Sequence, residues 1–265
     1  MTPIIQHSFA ICAYGRSQYL EECIQSVLQQ DVGGSEVFIS TSTPSSWLDG
    51  IAEKYNLPIF INDGESGIGQ DWNYAYSRAH GKYVTIAHQD DIYCPGYVAT
   101  AVSMLDRAKK PILFFCDYGE LRGDAITTES LNLSIKKWLL RGLRNGRNAD
   151  NIRTRRRALS FGCAISCPSV TLVKENCPDM PYQTKMKCSL DWDTWEHLSR
   201  IEGSFIYSTD VLMYHRIHEE SATTRLIGDR TRLNEDREMY ERFWPKPIAS
   251  FLTKLYSISL SSNQS

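Results

Sequence analysis

The first hundred residues alternate short apolar runs with amphipathic segments, and this alternation limits the possible folds more than any other feature. Runs rich in β-branched and aromatic residues predict strands, and apolar residues at helical spacing predict helices. The predicted elements are strand His7–Tyr14, helix Gln18–Gln30, strand Glu36–Thr41, helix Ser45–Tyr55, strand Leu57–Asn62, helix Gly69–His80 and strand Tyr83–Ala87. Strands that alternate with helices form a mainly parallel sheet flanked by helices, so the predicted fold class is α/β.

Polar residues stand where each predicted strand ends. Strand by strand they are Tyr14, then Ser40 and Thr41, then Asn62 and Asp63, then His88 to Asp91. In such sheets ligands bind in the crevice outside the carboxyl ends of the strands. A nucleotide site at this edge is therefore expected.

The regular alternation weakens after residue 100. A helix over Tyr97–Lys109 and a strand over Ile112–Asp117 are predicted, and another helix begins near Ser189. Glu235–Tyr256 alternates apolar and basic positions, which predicts two short amphipathic helices broken at Pro245 and Pro247.

Composition excludes several classes of protein. The eight cysteines are scattered and lack the CxxC spacing of a zinc site. No apolar stretch approaches the roughly 20 residues that span a bilayer. The amino terminus shows no basic region followed by an apolar run, so export is not predicted and the cysteines are expected to stay reduced.

Residues 136–157 carry nine Lys or Arg side chains and one acid, Asp150, although the net charge of the whole chain is −2. Such a segment forms a solvated surface, grips an acceptor diphosphate, or faces an anionic membrane. In the membrane case Trp138, Leu139, Leu140 and Leu143 would enter the lipid interface.

Two adjacent carboxylates, Asp90 and Asp91, follow the strand that ends at Ala87. Carboxylate oxygens suit Mg²⁺ or Mn²⁺, and a divalent ion held there could bridge the phosphates of a nucleotide. A pair of aspartates also commonly caps a turn or a helix, so the dipeptide alone leaves both interpretations open.

Four segments together resemble family-2 glycosyltransferases. They are ICAYGRSQYLEECIQSVLQQ, GIGQDWNYAYSRAHGKYVTIAHQDDIYCPGYV, SLDWDTWEHL and YHRIHEESAT, in this order along residues 7 to 223. The resemblance implies a GT-A fold. It also implies inverting transfer of a hexose from a nucleotide-diphosphate sugar, such as a UDP-hexose, to an acceptor hydroxyl with Mn²⁺ or Mg²⁺ as cofactor.

The resemblance also implies roles for individual residues. Asp191 matches the general base, and Asp91 and His218 match residues that meet the metal, with Asp91 the expected direct ligand. The residues that match positions near the nucleotide sugar are Ala13, Tyr14, Ser40, Thr41, Asn73, Asp90 and Arg216. Arg216 is a plausible partner for phosphate, because guanidinium pairs well with phosphate oxygens.

The chain departs from the family pattern in two places. Ile39-Ser40-Thr41-Ser42-Thr43 stands where acidic residues usually follow the second strand, and His88 replaces the first acid of the metal motif. Recognition of the base by a carboxylate is therefore lost or taken over by hydroxyls. The alternatives are a nucleotidyltransferase, a catalytically inactive sugar- or lipid-binding module, and a dTDP-rhamnose-type transferase. The first of these would need a glycine-rich first loop, which is absent after Tyr14.

The resemblance further implies a saccharide acceptor linked to a lipid diphosphate, as in O-antigen or capsule biosynthesis, and no nucleic-acid partner. We expect a cytoplasmic chain that sits peripherally on the inner face of the membrane. Residues 1–100 are expected to bind the nucleotide sugar, 101–225 to bind the acceptor and carry the catalytic residues, and 226–265 to form the C-terminal helices. Residues 161–170 are placed near the acceptor.

Overall fold

One sheet runs through the parts of the chain that the computed structural model describes, residues 5–30, 34–146, 148–218 and 230–261. Its strands are β1 His7–Ala13, β2 Ser35–Thr41, β3 Ile59–Ile61, β4 Tyr83–His88, β5 Ile92–Tyr93, β6 Pro111–Arg122, β7 Ala125–Thr127, β8 Val170–Val173 and β9 Ser204–Arg216. The helices are α1 Leu20–Leu28, α2 Ser46–Tyr55, α3 Ile68–Arg78, α4 Tyr97–Asp106, α5 Leu131–Leu139, α6 Ile152–Leu159, α7 Leu190–Leu198, α8 Arg230–Glu241 and α9 Lys246–Ser261.

The strand order is β3-β2-β1-β4-β8-β6-β9-β5, with β7 paired to β6. The first four strands are parallel, as the alternation of strands and helices predicts. Beyond β4 the sheet is mixed, because β8 lies antiparallel between β4 and β6 while β6 and β9 run parallel. The α/β fold class is confirmed, and the only strand that interrupts the parallel order between β3 and β9 among the described residues is β8.

Apolar residues cover both faces of the sheet. One layer packs residues of α3, α6 and α7 against it, and the other packs α1, α2 and α4. The sheet is continuous across residue 100, so the predicted nucleotide-sugar and acceptor parts share one core. The predicted boundary at residue 225 lies outside the described residues.

Several predicted boundaries are corrected. The strand predicted over Ile112–Asp117 extends to Arg122, because β6 pairs with β9 along most of its length. Near its end Gly119 leaves room for the neighbouring Tyr214 ring, since a Cβ at Gly119 would lie 2.9 Å from Tyr214 Cδ1. The break predicted at Pro245 and Pro247 falls before Lys246, and Pro247 sits inside the first turn of α9, where its missing N–H costs no helical hydrogen bond.

The basic segment is only partly a solvent-facing surface. Arg155 is fully buried, its Nη2 donates to the Ile201 carbonyl at 2.9 Å, and its guanidinium lies 5.1 Å from the Phe205 ring centre. Arg156 forms an ion pair with Glu196. Leu140 and Leu143 are buried in the core, so the prediction that they enter a lipid interface is wrong.

Candidate active site

The pairing of β5 with β9 brings the acid pair to the end of β9. Asp90 and Asp91 lie in the turn between β4 and β5, where the Asp91 N–H donates to the His88 carbonyl at 3.2 Å. Ile92 of β5 then pairs with Tyr214 of β9. Because the two strands are antiparallel, the residues that follow Tyr214 lie alongside the two carboxylates.

Asp91 is fully buried, and the end of β9 holds one of its oxygens. Oδ1 accepts a hydrogen bond from the Arg216 backbone N–H at 2.9 Å and lies 2.9 Å from His215 Nδ1. Burial alone would raise the pKa of the Asp91 carboxyl, but the charge and hydrogen bond of His215 outweigh burial and lower that pKa. Asp91 Oδ2 is also buried and has no hydrogen-bond partner in the structure, with His88 Nδ1 at 3.7 Å.

Asp90 has the more open position of the two acids. Its side chain is partly exposed, and its Oδ2 lies 2.8 Å from His218 Nε2. The His218 ring stands edge-on to Tyr19 at a centroid distance of 5.0 Å. An accessible carboxylate and an imidazole therefore meet at this edge of the sheet.

Arg216 is committed to contacts within the protein. Its Nε donates to the Asp90 carbonyl at 2.9 Å, its Nη2 pairs with Glu22, and its guanidinium lies 4.3 Å from the Tyr19 ring centre. The residue is buried. These contacts attach the turn that carries Asp90 to α1.

Asp191 occupies the first turn of α7 and is partly exposed. Its Oδ1 accepts from the Trp192 N–H at 2.7 Å, and its Oδ2 lies 3.4 Å from Cys163 Sγ. Asp193, two residues later, is buried and pairs with Arg242 at 2.6 Å. One acid of this helix therefore supports the structure, while the other remains available.

The acid pair and Asp191 lie around the same group of side chains. Burial raises the pKa of the Cys167 thiol, and the charges of Asp191 and Asp91 add to this effect. Burial lowers the pKa of His88, although Asp91, Asp90 and Asp191 all act against it. The charges of all three aspartates therefore act on His88, and those of Asp91 and Asp191 also act on Cys167.

The predicted donor residues at the ends of β1 and β2 differ in accessibility. Tyr14 is 63% exposed, whereas Ala13, Ser40 and Thr41 are buried. Gln89 fixes the Tyr14 backbone, because its Oε1 accepts from the Tyr14 N–H at 3.1 Å and its Nε2 donates to the Tyr14 carbonyl at 3.0 Å. The exposed Tyr14 side chain is therefore free to contact a bound nucleotide.

Asn73 is buried and uses both ends of its amide to hold another segment. Its Nδ2 donates to the Tyr182 carbonyl at 2.8 Å, and its Oδ1 accepts from the Tyr182 N–H at 3.0 Å. The Tyr182 ring meets Trp72 edge-on at 5.2 Å, and Trp72 stacks on His88 at 4.9 Å. Asn73 thus fixes the backbone of Tyr182, whose ring contacts Trp72 beside His88.

Sequence reasoning did not identify three residues near the site: Asp71, Gln89 and His215. The Asp71 carboxylate accepts from Ser42 Oγ at 2.8 Å and from Asn62 Nδ2 at 2.7 Å. It thus stands beside the hydroxyl-rich segment that lacks the expected acids. The spacing Gly67-Ile68-Gly69-Gln70-Asp71 at the start of α3 was its only signal in the sequence.

Within the described residues, no group of three or more His, Cys, Asp and Glu side chains is arranged to hold a metal ion. The end of the fourth motif, residues 219–223, lies outside those residues. None of the described helices has the length and apolar character needed to cross a bilayer. All eight cysteines are free thiols.

An α/β sheet that gathers carboxylates at the carboxyl edge of its parallel strands is typical of an enzyme that binds a nucleotide. The model of Glycosyl transferase family 2 matches residues 8–165, and the chain belongs to this family. An uncharacterized glycosyltransferase of Rickettsia typhi is 24% identical over 250 residues, which cover 94% of this chain and 72% of the relative. Abequosyltransferase RfbV of Salmonella typhimurium is 28% identical over 181 residues, which cover 63% of this chain and 52% of RfbV.

Solved structures confirm the GT-A fold. S. aureus TarS 1–349 in complex with UDP-GlcNAc has a TM-score of 0.63 at 15% identity, covering 94% of this chain and 70% of TarS 1–349. The mannosyltransferase PcManGT of Pyrobaculum calidifontis, in complex with GDP-Man and Mn²⁺, has a TM-score of 0.63 at 14% identity and covers 100% and 77%.

Proposed function

We propose that this glycosyltransferase moves a hexose from a UDP-hexose to an acceptor hydroxyl with inversion at the anomeric carbon. The proposal is carried by a partly exposed acid–imidazole pair, Asp90 and His218, and a separate carboxylate, Asp191, whose charge acts on the same His88 side chain as Asp90. The first pair suits the departing diphosphate and its metal ion. The second suits the attacking hydroxyl.

We propose Asp90 and His218 as the metal ligands and assign Asp91 a positioning role. The sequence pattern favoured Asp91, but this side chain is fully buried, and bonds to His215 and Arg216 hold its Oδ1, whereas Asp90 is partly exposed. A carboxylate oxygen and an imidazole nitrogen suit Mn²⁺, and oxygens of the diphosphate would complete the coordination. When bound, the ion would stabilise the negative charge of the departing nucleoside diphosphate. Arg216 holds this turn in place and is not assigned a phosphate contact.

Asp191 is proposed as the general base. The acceptor oxygen attacks the anomeric carbon while its proton passes to the Asp191 carboxylate. The bond from that carbon to the diphosphate oxygen breaks, and the nucleoside diphosphate leaves with the electron pair. A single displacement of this kind inverts the configuration and needs only one base.

Asp71 is proposed as the residue that recognises the base. Ser42 and Asn62 each donate to one of its carboxylate oxygens and leave lone pairs free. A carboxylate accepts the N3–H of uracil, whereas N3 of cytosine carries no hydrogen. This arrangement favours UDP over CDP and replaces the acids that are absent after β2.

For the acceptor we propose a saccharide linked to a lipid diphosphate, used in O-antigen or capsule assembly at the inner face of the cytoplasmic membrane. The similarity to a protein named abequosyltransferase supports a sugar-transfer pathway of this type. The motif resemblance supports the lipid-linked acceptor.

A thermal-shift screen tests the donor assignment. UDP-glucose, UDP-galactose, UDP-GlcNAc, GDP-mannose, a CDP-hexose and dTDP-rhamnose are compared with and without Mn²⁺. The proposal expects the largest rise in melting temperature with a UDP-hexose plus Mn²⁺. Stabilisation by dTDP-rhamnose alone would replace the UDP-hexose assignment with a dTDP-deoxyhexose donor, and no stabilisation by any donor would contradict the function.

A further inference from the structure

Helix α5 carries apolar side chains on two opposite faces. Leu133 in its first turn and Leu140 just beyond its carboxyl end are buried in the core. Its other face presents Leu131, Ile135 and Trp138, which are 78%, 47% and 57% exposed. The spacing of four and three residues places these three side chains in one stripe. A surface helix usually has one apolar face, packed on the core, so the second apolar stripe of α5 needs another explanation.

Helix α9 repeats this arrangement. Ala249 and Thr253 face the core. On the outer side Ile248, Phe251 and Leu255 are 45%, 60% and 49% exposed, and their spacing of three and four residues again forms a stripe. Large apolar patches on a protein surface generally mark a site of association.

The two helices approach each other beside the proposed catalytic base. Gly162 packs against Tyr256 of α9, since a Cβ at Gly162 would lie 3.3 Å from Tyr256 Cε2. Lys136 of α5 is within electrostatic reach of Tyr256 and of Cys163. Cys163 Sγ in turn lies 3.4 Å from Asp191 Oδ2. The two helices that carry the exposed stripes therefore lie next to the part of the site proposed to receive the acceptor.

The two segments that carry the stripes hold charges of one sign only. Residues 131–146 and 246–261 contain no Asp or Glu, although the whole chain has a net charge of −2. Among their basic residues, Lys136 donates to the Tyr118 hydroxyl and Lys137 to the Thr128 carbonyl. The exposed basic residues are Arg141, Arg144, Lys246 and Lys254. The Arg141 guanidinium lies 3.7 Å from the Trp138 ring centre, so a cation accompanies the large exposed ring.

We propose that the outer faces of α5 and α9 form a docking surface for an anionic lipid bilayer. Apolar side chains would enter the interface while the surrounding cations contact lipid phosphates. A second copy of the chain fits this surface less well, because it would bring the same cations face to face. Docking through these helices would place the membrane next to Asp191, where an acceptor carried by a lipid must arrive.

A vesicle sedimentation assay tests this surface. The full chain is mixed at low salt with vesicles of phosphatidylcholine, with or without phosphatidylglycerol. We expect the wild type to bind the anionic vesicles. The double variant Trp138→Ser/Phe251→Ser should bind them at least about tenfold more weakly, because it lacks two aromatic side chains that would be buried in the lipid interface. The matched control is Leu28→Ser/Met180→Ser, since both residues are comparably exposed but lie on neither helix. It should bind like the wild type.

Failure of the wild type to bind anionic vesicles would overturn the docking surface, and so would an equal loss of binding in the control variant. The surface would instead be a dimer interface if the wild type forms a dimer without binding vesicles and only the Trp138→Ser/Phe251→Ser variant abolishes that dimer. The location beside an acceptor rests on the proposed function, but the assay contains no donor and no acceptor. Vesicle binding without sugar transfer would contradict the proposed function alone, and sugar transfer to a soluble acceptor without vesicle binding would contradict the docking surface alone.

Discussion

Asp191 and Asp193 lie on the same helix two residues apart, and their surroundings predict opposite results for the same substitution. Asp191→Asn should reduce turnover by about two to four orders of magnitude, the range for loss of a general base, and keep affinity for the donor. Asp193→Asn should instead lower the melting temperature, because it breaks a buried pair with Arg242. Turnover, donor titration and thermal melts are measured for both variants. Loss of donor binding in Asp191→Asn would contradict its role as the base.

Asp90 and Asp91 are adjacent in sequence and should also respond differently. Asp90→Asn should abolish the effect of Mn²⁺ on donor affinity and leave the free energy of unfolding nearly unchanged, because this side chain is partly exposed. Asp91→Asn should lower the free energy of unfolding by about 1–3 kcal/mol, since it disturbs a buried hydrogen-bonded network. Chemical denaturation and donor titration with Mn²⁺ separate the two effects. If only Asp91→Asn removes the Mn²⁺ effect, Asp91 is the ligand.

Asp71 provides a prediction about the base. Asp71→Asn should weaken binding of UDP by about tenfold and reduce the preference over CDP, because an amide can donate to N3 of cytosine. Asp63→Asn, a nearby acid that follows β3, is the control and should keep the UDP preference. Calorimetric titration with UDP and CDP measures both. An unchanged ratio of the two affinities in Asp71→Asn would rule out its contact with the base.

At the scale of elements, an ionic pair between Asp91, just before β5, and His215 of β9 supports the contact of these two strands. Burial lowers the pKa of His215, but Asp91 outweighs burial through its charge and hydrogen bond and raises it above 6.5. A raised histidine pKa stabilises the fold at low pH, and this contribution is lost as the pH rises through the folded value. The lowered pKa of Asp91 adds stability above about pH 4 that is lost as the pH falls further.

We therefore expect the pair of Asp91 and His215 to stabilise the fold most at pH values above the pKa of the Asp91 carboxyl and below the pKa of the His215 imidazole. The melting temperature of His215→Gln should lie furthest below that of the wild type near pH 6, and the gap should narrow as the pH rises above about 7. Thermal melts from pH 5 to about 9 measure this difference. A gap that stays constant over the range would contradict the ionic contribution.

The sequence predicted those elements that have a clear period of their own. Strands β1, β2 and β4 and helices α2 and α3 lie close to their predicted positions, because each carries enough apolar residues to show its spacing. Strands β5 and β8 have only two and four residues and show no period. Their existence depends on pairing with distant strands, which a local pattern does not contain.

The same distinction applies to the site. The motifs located Asp90, Asp191 and His218, because the acid pair follows a predicted strand and the other two lie in recognisable segments. His215 and Arg216 acquire their contacts only when β9 pairs with β5, and Asp71 only when α3 packs beside the end of β2. Which of two adjacent aspartates is buried is likewise decided by tertiary structure.

At the scale of the whole molecule, the sheet brings three parts of the chain to one edge. The turn after β4 supplies Asp90, the segment just after β9 supplies His218, and α7 supplies Asp191. These parts come from both predicted halves, so neither half is expected to be active alone. The family assignment covers residues 8–165 and therefore includes the acid pair, whereas Asp191 and His218 lie beyond that match.

The central claim is metal-dependent sugar transfer with Asp191 as the base, and the release of nucleoside diphosphate tests it most directly. The full chain is incubated with a UDP-hexose, Mn²⁺ and a short acceptor diphosphate saccharide, and phosphorus NMR measures the products after the paramagnetic Mn²⁺ has been removed on a chelating resin. Reactions with chelator present from the start and with Asp191→Asn are run in parallel. We predict that UDP accumulates with the wild type and that proton NMR shows a product with inverted anomeric configuration. Chelator, or the Asp191→Asn substitution, should lower the rate of UDP release by at least about 99%. Undiminished release in chelator, or by Asp191→Asn, or a product that retains the donor configuration would contradict the account.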